Sequence, residues 1–354
     1  MKKKIALVLA FVILAGVILF CLQALLMPKN MSGKSQEGAL IAEYYANAGG
    51  NDVIFIGDCE VYENFSPITL WEEYGITSYI RGSPQQLIWQ SYYLMEETFR
   101  YETPKVMVFN VLSMKYNTPD DTKPQAQREE YNRLTLDGMR WSSAKWNSMM
   151  ASLSKEERED KVFSVASYLM PLLRYHDRWD QLTEEDFKYW FSLDEISHNG
   201  YLMKTNKVPV TSEYKEPALV DYTLGENSWY YLEKMTALCK EKGVELVLIK
   251  APSLSPIWWP QWDEQVAAYA AENDLLYINM LDYREEIGID WENDTYDAGL
   301  HLNVYGAEKA SAWFGKVLKE HFDLPDRRVF DHDSAIWAEK CETYHNRKKE
   351  LEQK

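Results

Sequence analysis

Four consecutive apolar residues, Val53-Ile54-Phe55-Ile56, run directly into Gly57-Asp58. An unbroken apolar run closed by turn residues is the pattern of a strand buried on both faces, as in parallel sheets. Parallel neighbours need crossover connections, usually helices, and the chain supplies them. Pro67 to Tyr74 reads as a helix stopped by Gly75. Ile76-Thr77-Ser78-Tyr79-Ile80 is β-branched and aromatic, a second strand ending at Arg81-Gly82-Ser83-Pro84. Gln85 to Tyr101 is helical until Pro104 breaks the pattern, and Lys105 to Val111 is a third strand. The alternation resumes far downstream. Asn227 to Lys242 predicts a helix ended by Gly243, Val244 to Ile249 a strand, Gln261 to Asn273 a helix, and Leu275 to Asn279 the last strand. A helix over Val304 to His321 follows. Such alternation implies an α/β fold, a parallel sheet with right-handed crossovers.

Between Tyr116 and Asp221 the alternation is lost. Ser154-Lys155-Glu156-Glu157 is a capping box, and Thr183-Glu184-Glu185-Asp186 is another helix start. Trp141, Trp146, Tyr168, Tyr175, Trp179, Trp190 and Phe191 cluster there, suiting either sugar stacking or the packing of a segment with few aliphatics. The expected organisation is a core domain over 51–325 carrying a mainly helical insertion over about 117–220. Before it lies a polar connector, 28–50, whose Ser32-Gly33-Lys34-Ser35 portion suits a flexible tether. After it comes a charged, helical C-terminal tail, 326–354.

Residues 1–27 carry the clearest physical signal. Met1-Lys2-Lys3-Lys4 precedes an apolar run, Ile5 to Met27, broken only by Gln23. That run matches the ~20 residues a bilayer-spanning helix needs and exceeds the core of a cleaved signal peptide. Three lysines before it outweigh Lys29 after it, which favours a cytoplasmic N-terminus with the body outside. The 46% hydrophobic content and 13 Trp exclude a disordered chain. A formal charge of −17 argues against nucleic acid as a partner. The four cysteines, Cys21, Cys59, Cys239 and Cys341, include no Cys-x-x-Cys pair, and no cluster suggests a metal or cofactor.

Chemistry in open α/β sheets gathers at the carboxyl ends of strands. Cys59 stands there, directly after Gly57-Asp58. Downstream, Asp297-Ala298-Gly299-Leu300-His301 holds a carboxylate and an imidazole four residues apart, just ahead of a helix. Nucleophile, base and orienting acid are the parts of a covalent acyl-transfer site. Taken singly, Cys59 is equally a packed thiol and His301 a capping or surface histidine. Asp294 is an alternative acid. Arg81, Arg140, Arg174, His176 and Arg178 are candidates for a phosphate or sugar acid, or ordinary surface side chains.

Gly57-Asp58-Cys59 resembles the Gly-Asp-Ser of the SGNH/GDSL hydrolases with Cys in the serine's place. Asp297 and His301 resemble that family's C-terminal Asp-x-x-His block with one residue more between them. The membrane-anchored group similar to DltD and the alginate O-acetylation proteins fits best, over about 50–115 and 240–320. The resemblance implies a three-layer α/β/α, flavodoxin-like sheet of the SGNH type. It implies Cys59 as nucleophile, His301 as base and Asp297 as acid. It also implies the Cys59 and Gly82 backbone N–H groups and the Asn110 side chain as oxyanion donors. Asp58, Arg81 and Asn303 would contact substrate. The implied activity is O-acyl transfer or ester hydrolysis on a cell-envelope glycan or teichoic-acid-like polymer, partnered by a membrane-bound O-acyltransferase. A catalytically silent binding module is the alternative.

Overall fold

In a computed structural model, which describes residues 1–160 and 165–353, the N-terminal apolar run is a single helix, α1 (Lys2–Leu26). It is long and apolar enough to cross a membrane. Residues 161–164, inside the expected insertion, and Lys354, at the end of the expected tail, lie outside the described residues.

The expected polar connector, 28–50, is not irregular throughout. Leu40–Asn47 is a helix (α2) that buries Leu40, Ile41 and Tyr44, and the Tyr44 ring packs edge-on against Tyr79 at 5.3 Å. Eight residues among polar neighbours give too short a stripe to stand out by periodicity.

The first half of the sheet follows as β1 (Val53–Gly57), α3 (Cys59–Tyr62), α4 (Pro67–Tyr74), β2 (Ser78–Gly82), α5 (Ile88–Thr98) and β3 (Val106–Asn110). Then come only helices among the described elements: α6 (Gln125–Leu136), α7 (Ser143–Ser152), α8 (Lys155–Glu159), α9 (Ala166–Leu169), α10 (Leu172–Tyr175) and α11 (Glu184–Lys188). The box at Ser154 closes α8: its Oγ accepts the Glu157 N–H at 3.2 Å, and Glu157 accepts the Ser154 N–H at 2.8 Å. The second half comprises α12 (Glu226–Lys242), β4 (Glu245–Lys250), α13 (Pro260–Glu272), β5 (Leu276–Asn279), α14 (Arg284–Ile287), α15 (Val304–His321) and α16 (Asp331–Glu352).

All five strands are parallel, in the order β2-β1-β3-β4-β5. Because side chains alternate across a strand, β1 feeds two cores. Ile54 and Ile56 pack with α5, α7 and α12 on one face, and Val53 and Phe55 pack with α4 and α15 on the other. Helices therefore cover both faces of the sheet. The order reverses between β1 and β3, and at such a switch point a crevice opens beyond the strands' carboxyl ends.

The expected C-terminal tail is instead part of the second core. Trp337, Cys341 and Tyr344 fall at i, i+4 and i+7 on α16 and make a narrow inward stripe. Trp337 stacks on Trp71 at 5.0 Å, and the Arg327 guanidinium grips Asp52 through two bonds of 2.7 Å. Trp337→Ala is expected to lower stability by about 3–5 kcal/mol, the cost of emptying a buried aromatic site. Urea unfolding of the full chain followed by tryptophan fluorescence checks this, and a loss near zero would mean that α16 is not part of the cooperative core.

Candidate functional site

The turn from β1 into α3 is tight because Gly57 has no side chain. A Cβ there would lie 2.4 Å from Val61 Cγ2 and 3.0 Å from Asn110 Cβ. Asp58 caps the single helical turn that follows. Its carboxylate accepts the Glu60 N–H at 3.2 Å, and its carbonyl accepts the Val61 N–H at 3.0 Å. Cys59 is thereby the first helical residue, partly exposed at the strand tip. Burial pushes its thiol up to about 11, while the facing His301 pulls the other way.

The loop bearing His301 is pinched by a bridge between Thr295 and Leu302. Within it Ala298 (φ 61°) and Gly299 (φ 96°) are left-handed, and the Gly299 N–H donates to Thr295 Oγ1 at 2.7 Å. This reversal brings Asp297 back onto its own loop despite the extra residue. Asp297 Oδ1 accepts the His301 N–H at 2.8 Å, and Oδ2 lies 2.7 Å from His301 Nδ1. Glu63 Oε2 lies 3.1 Å from the same Nδ1 and also accepts the Tyr296 hydroxyl at 2.8 Å. Two carboxylates hold one ring nitrogen, and the Cys59 thiol interacts with the same ring. Burial alone would lower the imidazole's pKa. Cys59, the Asp297 hydrogen bond and the Glu63 charge together outweigh it and hold His301 well above its ordinary value. Asp294, the alternative acid, is engaged elsewhere, 2.6 Å from Lys309 Nζ and accepting the Asp290 N–H at 2.7 Å.

Beneath this pair lies a buried polar layer spanning β1, β3 and β4. Lys250 Nζ, at the end of β4, is 2.9 and 3.0 Å from the Glu60 oxygens and donates to Ala251 O at 2.7 Å. The two side chains are 0% and 1% exposed. Asn110 Nδ2 donates to Glu60 at 3.0 Å and to Asp58 at 3.3 Å, while its Oδ1 accepts the Ala251 N–H at 3.1 Å. Burial, with the Glu60 charge adding, raises Asp58 to about 6, against the pull of Lys115. Asn64 joins the segment after Cys59 to the other loops. It donates to Ser253 Oγ at 3.0 Å and accepts the Leu302 N–H at 2.7 Å.

Several sequence expectations change accordingly. Asn110 is not an available oxyanion donor, because both amide hydrogens go to carboxylates. Asp58 is a helix cap turned inward and not a substrate contact. Arg81 is fully buried, bonded to Glu97 at 2.7 Å and to Leu94 O and Thr98 Oγ1 at 2.9 Å, with Tyr44 3.9 Å below its guanidinium, so it cannot reach substrate. Asn303 caps α15, accepting from the Tyr305 and Gly306 N–H groups and donating to Asn293 O, and is equally buried. Gly82 stays at the strand tip beside Gly57, where a Cβ would come 3.2 Å from Gly57 O. Arg174 pairs with Glu129 and Arg178 with Asp186, His176 bonds Leu173 O, and Arg140 lies over Tyr45. Besides His301, whose charge acts on both, Lys115 acts on Asp58 and Lys204 on Glu63.

The sequence expectations did not include Glu60, Glu63, Asn64 or Lys250. A signal for three of them was present: two acids and an amide interleaved with the apolar Val61, Tyr62 and Phe65, directly after a buried strand, must be buried and must find partners. No protein-family model matches this chain, and no curated protein matches it at a significant level.

Proposed function

We propose that this chain is an acyl-transfer enzyme of the SGNH type, anchored by α1 with its N-terminus in the cytoplasm and its catalytic domain outside. In this proposal the helices between β3 and α12 form an insertion on the core domain. Cys59 carries the acyl group as a thioester, and the acceptor is a hydroxyl of an envelope glycan or teichoic-acid-like polymer. A membrane-bound O-acyltransferase supplies the acyl group. The observation that supports this most is the imidazole of His301, held through Nδ1 by Asp297 at 2.7 Å and Glu63 at 3.1 Å, with the Cys59 thiol interacting with the same ring.

The reacting form has one proton between thiol and imidazole. The Sγ–H proton passes to His301 Nε2 as sulfur bonds to the acyl carbon. The Cys59 and Gly82 N–H groups hold the oxyanion. His301 then protonates the leaving group as its bond to carbon breaks. In the second half His301 takes the acceptor's hydroxyl proton, the acceptor oxygen displaces sulfur, and the proton returns to Cys59. A catalytically silent binding module is the alternative, favoured by the engagement of Asn110 with two carboxylates and by the upward shift of the thiol.

The test offers an activated acetyl ester to the full chain in detergent and reads mass on the Cys59 peptide. Acylation of Cys59 above that of Cys341 is the expected result. Labelling that does not distinguish the two cysteines would favour the silent module.

A further inference from the structure

Helix α1 is exposed from Ile5 to Phe20 except at Ala15. From Cys21 onward the body of the protein holds one side of it, Leu22 staying 41% exposed on the other. Phe20 stacks on Phe191 at 6.4 Å, Trp190 Nε1 donates to Cys21 O at 2.8 Å, and Arg178 donates to Leu26 O. The segment making these contacts, residues 166–194, passes through α9, α10, the turn His176–Asp180 and α11. Each of these pieces turns large apolar side chains outward: Leu169, Leu173, Trp179, Phe187 and Phe191 are 46%, 49%, 70%, 55% and 65% exposed. Single exposed apolar residues are ordinary on a soluble surface, but a run of them on consecutive elements is not.

The length of α1 says what covers them. Ile5 to Phe20 is 16 residues, about 24 Å of helix at ~1.5 Å per residue. The hydrocarbon core of a bilayer is ~30 Å thick. The exposed part of the helix is therefore too short by about 6 Å, and the next turn and a half already lies against 166–194 on one side. We infer that residues 166–194 form a collar around the anchor that sinks its apolar side chains into the outer leaflet and completes the membrane-embedded thickness. The occupant of this surface is the lipid bilayer itself. The collar contains three cationic and six acidic side chains, so anionic headgroups do not attract it and the insertion is apolar. Tryptophan and tyrosine at that depth match the aromatic belts at membrane interfaces. A collar of this kind fixes the height and tilt of the domain, and so of Cys59, over the membrane.

This inference rests on α1 spanning the bilayer, and the experiment separates the two. Leu173→Cys, Trp179→Cys and Phe187→Cys, with Phe11→Cys on α1 and Val220→Cys far along the chain as references, are nitroxide-labelled in full chain whose Cys21, Cys59 and Cys341 are serine. In phosphatidylcholine nanodiscs, collisions with oxygen are compared with collisions with a water-soluble nickel chelate. The collar positions are expected to resemble Phe11, with an oxygen-to-nickel ratio several-fold above that at Val220. High salt or added phosphatidylglycerol leaves that ratio unchanged. Collar positions resembling Val220 while Phe11 remains oxygen-exposed would overturn the collar and leave the anchor intact, as for a surface kept for a protein partner. Nickel access at Phe11 as well would overturn both. Insertion only with anionic lipid would overturn the apolar collar.

Discussion

Full-length chain carrying His301→Ala is expected to form the Cys59 thioester roughly 10²–10⁴-fold more slowly than wild type, the range for a lost general base. Asp297→Asn should cost more rate than Glu63→Gln. Asp297 bonds both the His301 N–H and Nδ1, so it orients the ring as well as stabilising its charge. Glu63 approaches Nδ1 alone and has Tyr296 as its other partner. The pH dependence carries the sharper distinction. His301 titrates above its ordinary range, so the form able to accept a proton appears as pH rises through that elevated value, and thioester formation climbs with it. Removing either carboxylate removes negative charge beside the imidazolium. The protonated ring is then less favoured, and the rising limb must move to lower pH. A profile of acylation rate against pH for wild type, Glu63→Gln and Asp297→Asn measures both effects. A limb that stays put in both variants would mean that His301 is not the group being titrated.

Much of the scaffold was legible because its signals are local. α4 and α15 lie where turn and cap chemistry put them, at Pro67–Tyr74 and Val304–His321, and the five strands sit within one or two residues of their expected bounds. Cys59 and His301 were legible for a related reason: each sits where a buried strand or a helix start exposes a side chain. Residues whose roles depend on partners far along the chain were not. Arg81 reads as a loop cation, yet β2 runs two residues further and carries it inward to Glu97. Asn303 has the position of a substrate contact and the geometry of a helix cap. α16 reads as a solvated tail because only three of its positions face the core, and Trp71, 266 residues earlier, is what makes Trp337 a core residue. Glu63 escaped because its partner is 238 residues away. An acid near a strand tip acquires meaning only once the fold brings a histidine to it.

Lys250→Met is expected to destabilise the chain by about 3–5 kcal/mol, because it strands the Glu60 carboxylate without its counter-ion. Glu60 is almost fully enclosed, and among the described residues its remaining hydrogen bond to a side chain is the one from Asn110. The pair need not stabilise the fold relative to an apolar replacement. Desolvating two charges costs several kcal/mol each, and apolar groups of similar volume often serve as well. The double variant Glu60→Leu/Lys250→Met should therefore recover most of the loss, and urea unfolding of the single and double variants measures the coupling. What the double variant is not expected to recover is acylation. Glu60 directly follows Cys59, and its carboxylate is the point where Asn110 from β3 and Lys250 from β4 hold the start of α3. With both charges gone, one Asn110 amide hydrogen loses its acceptor, and among the described side-chain hydrogen bonds Asp58–Asn110 is what still ties the turn carrying Cys59 to β3. Stability restored with acylation still depressed would identify the pair as a positioning device for Cys59. Stability and acylation recovering together would reduce it to a replaceable part of the core.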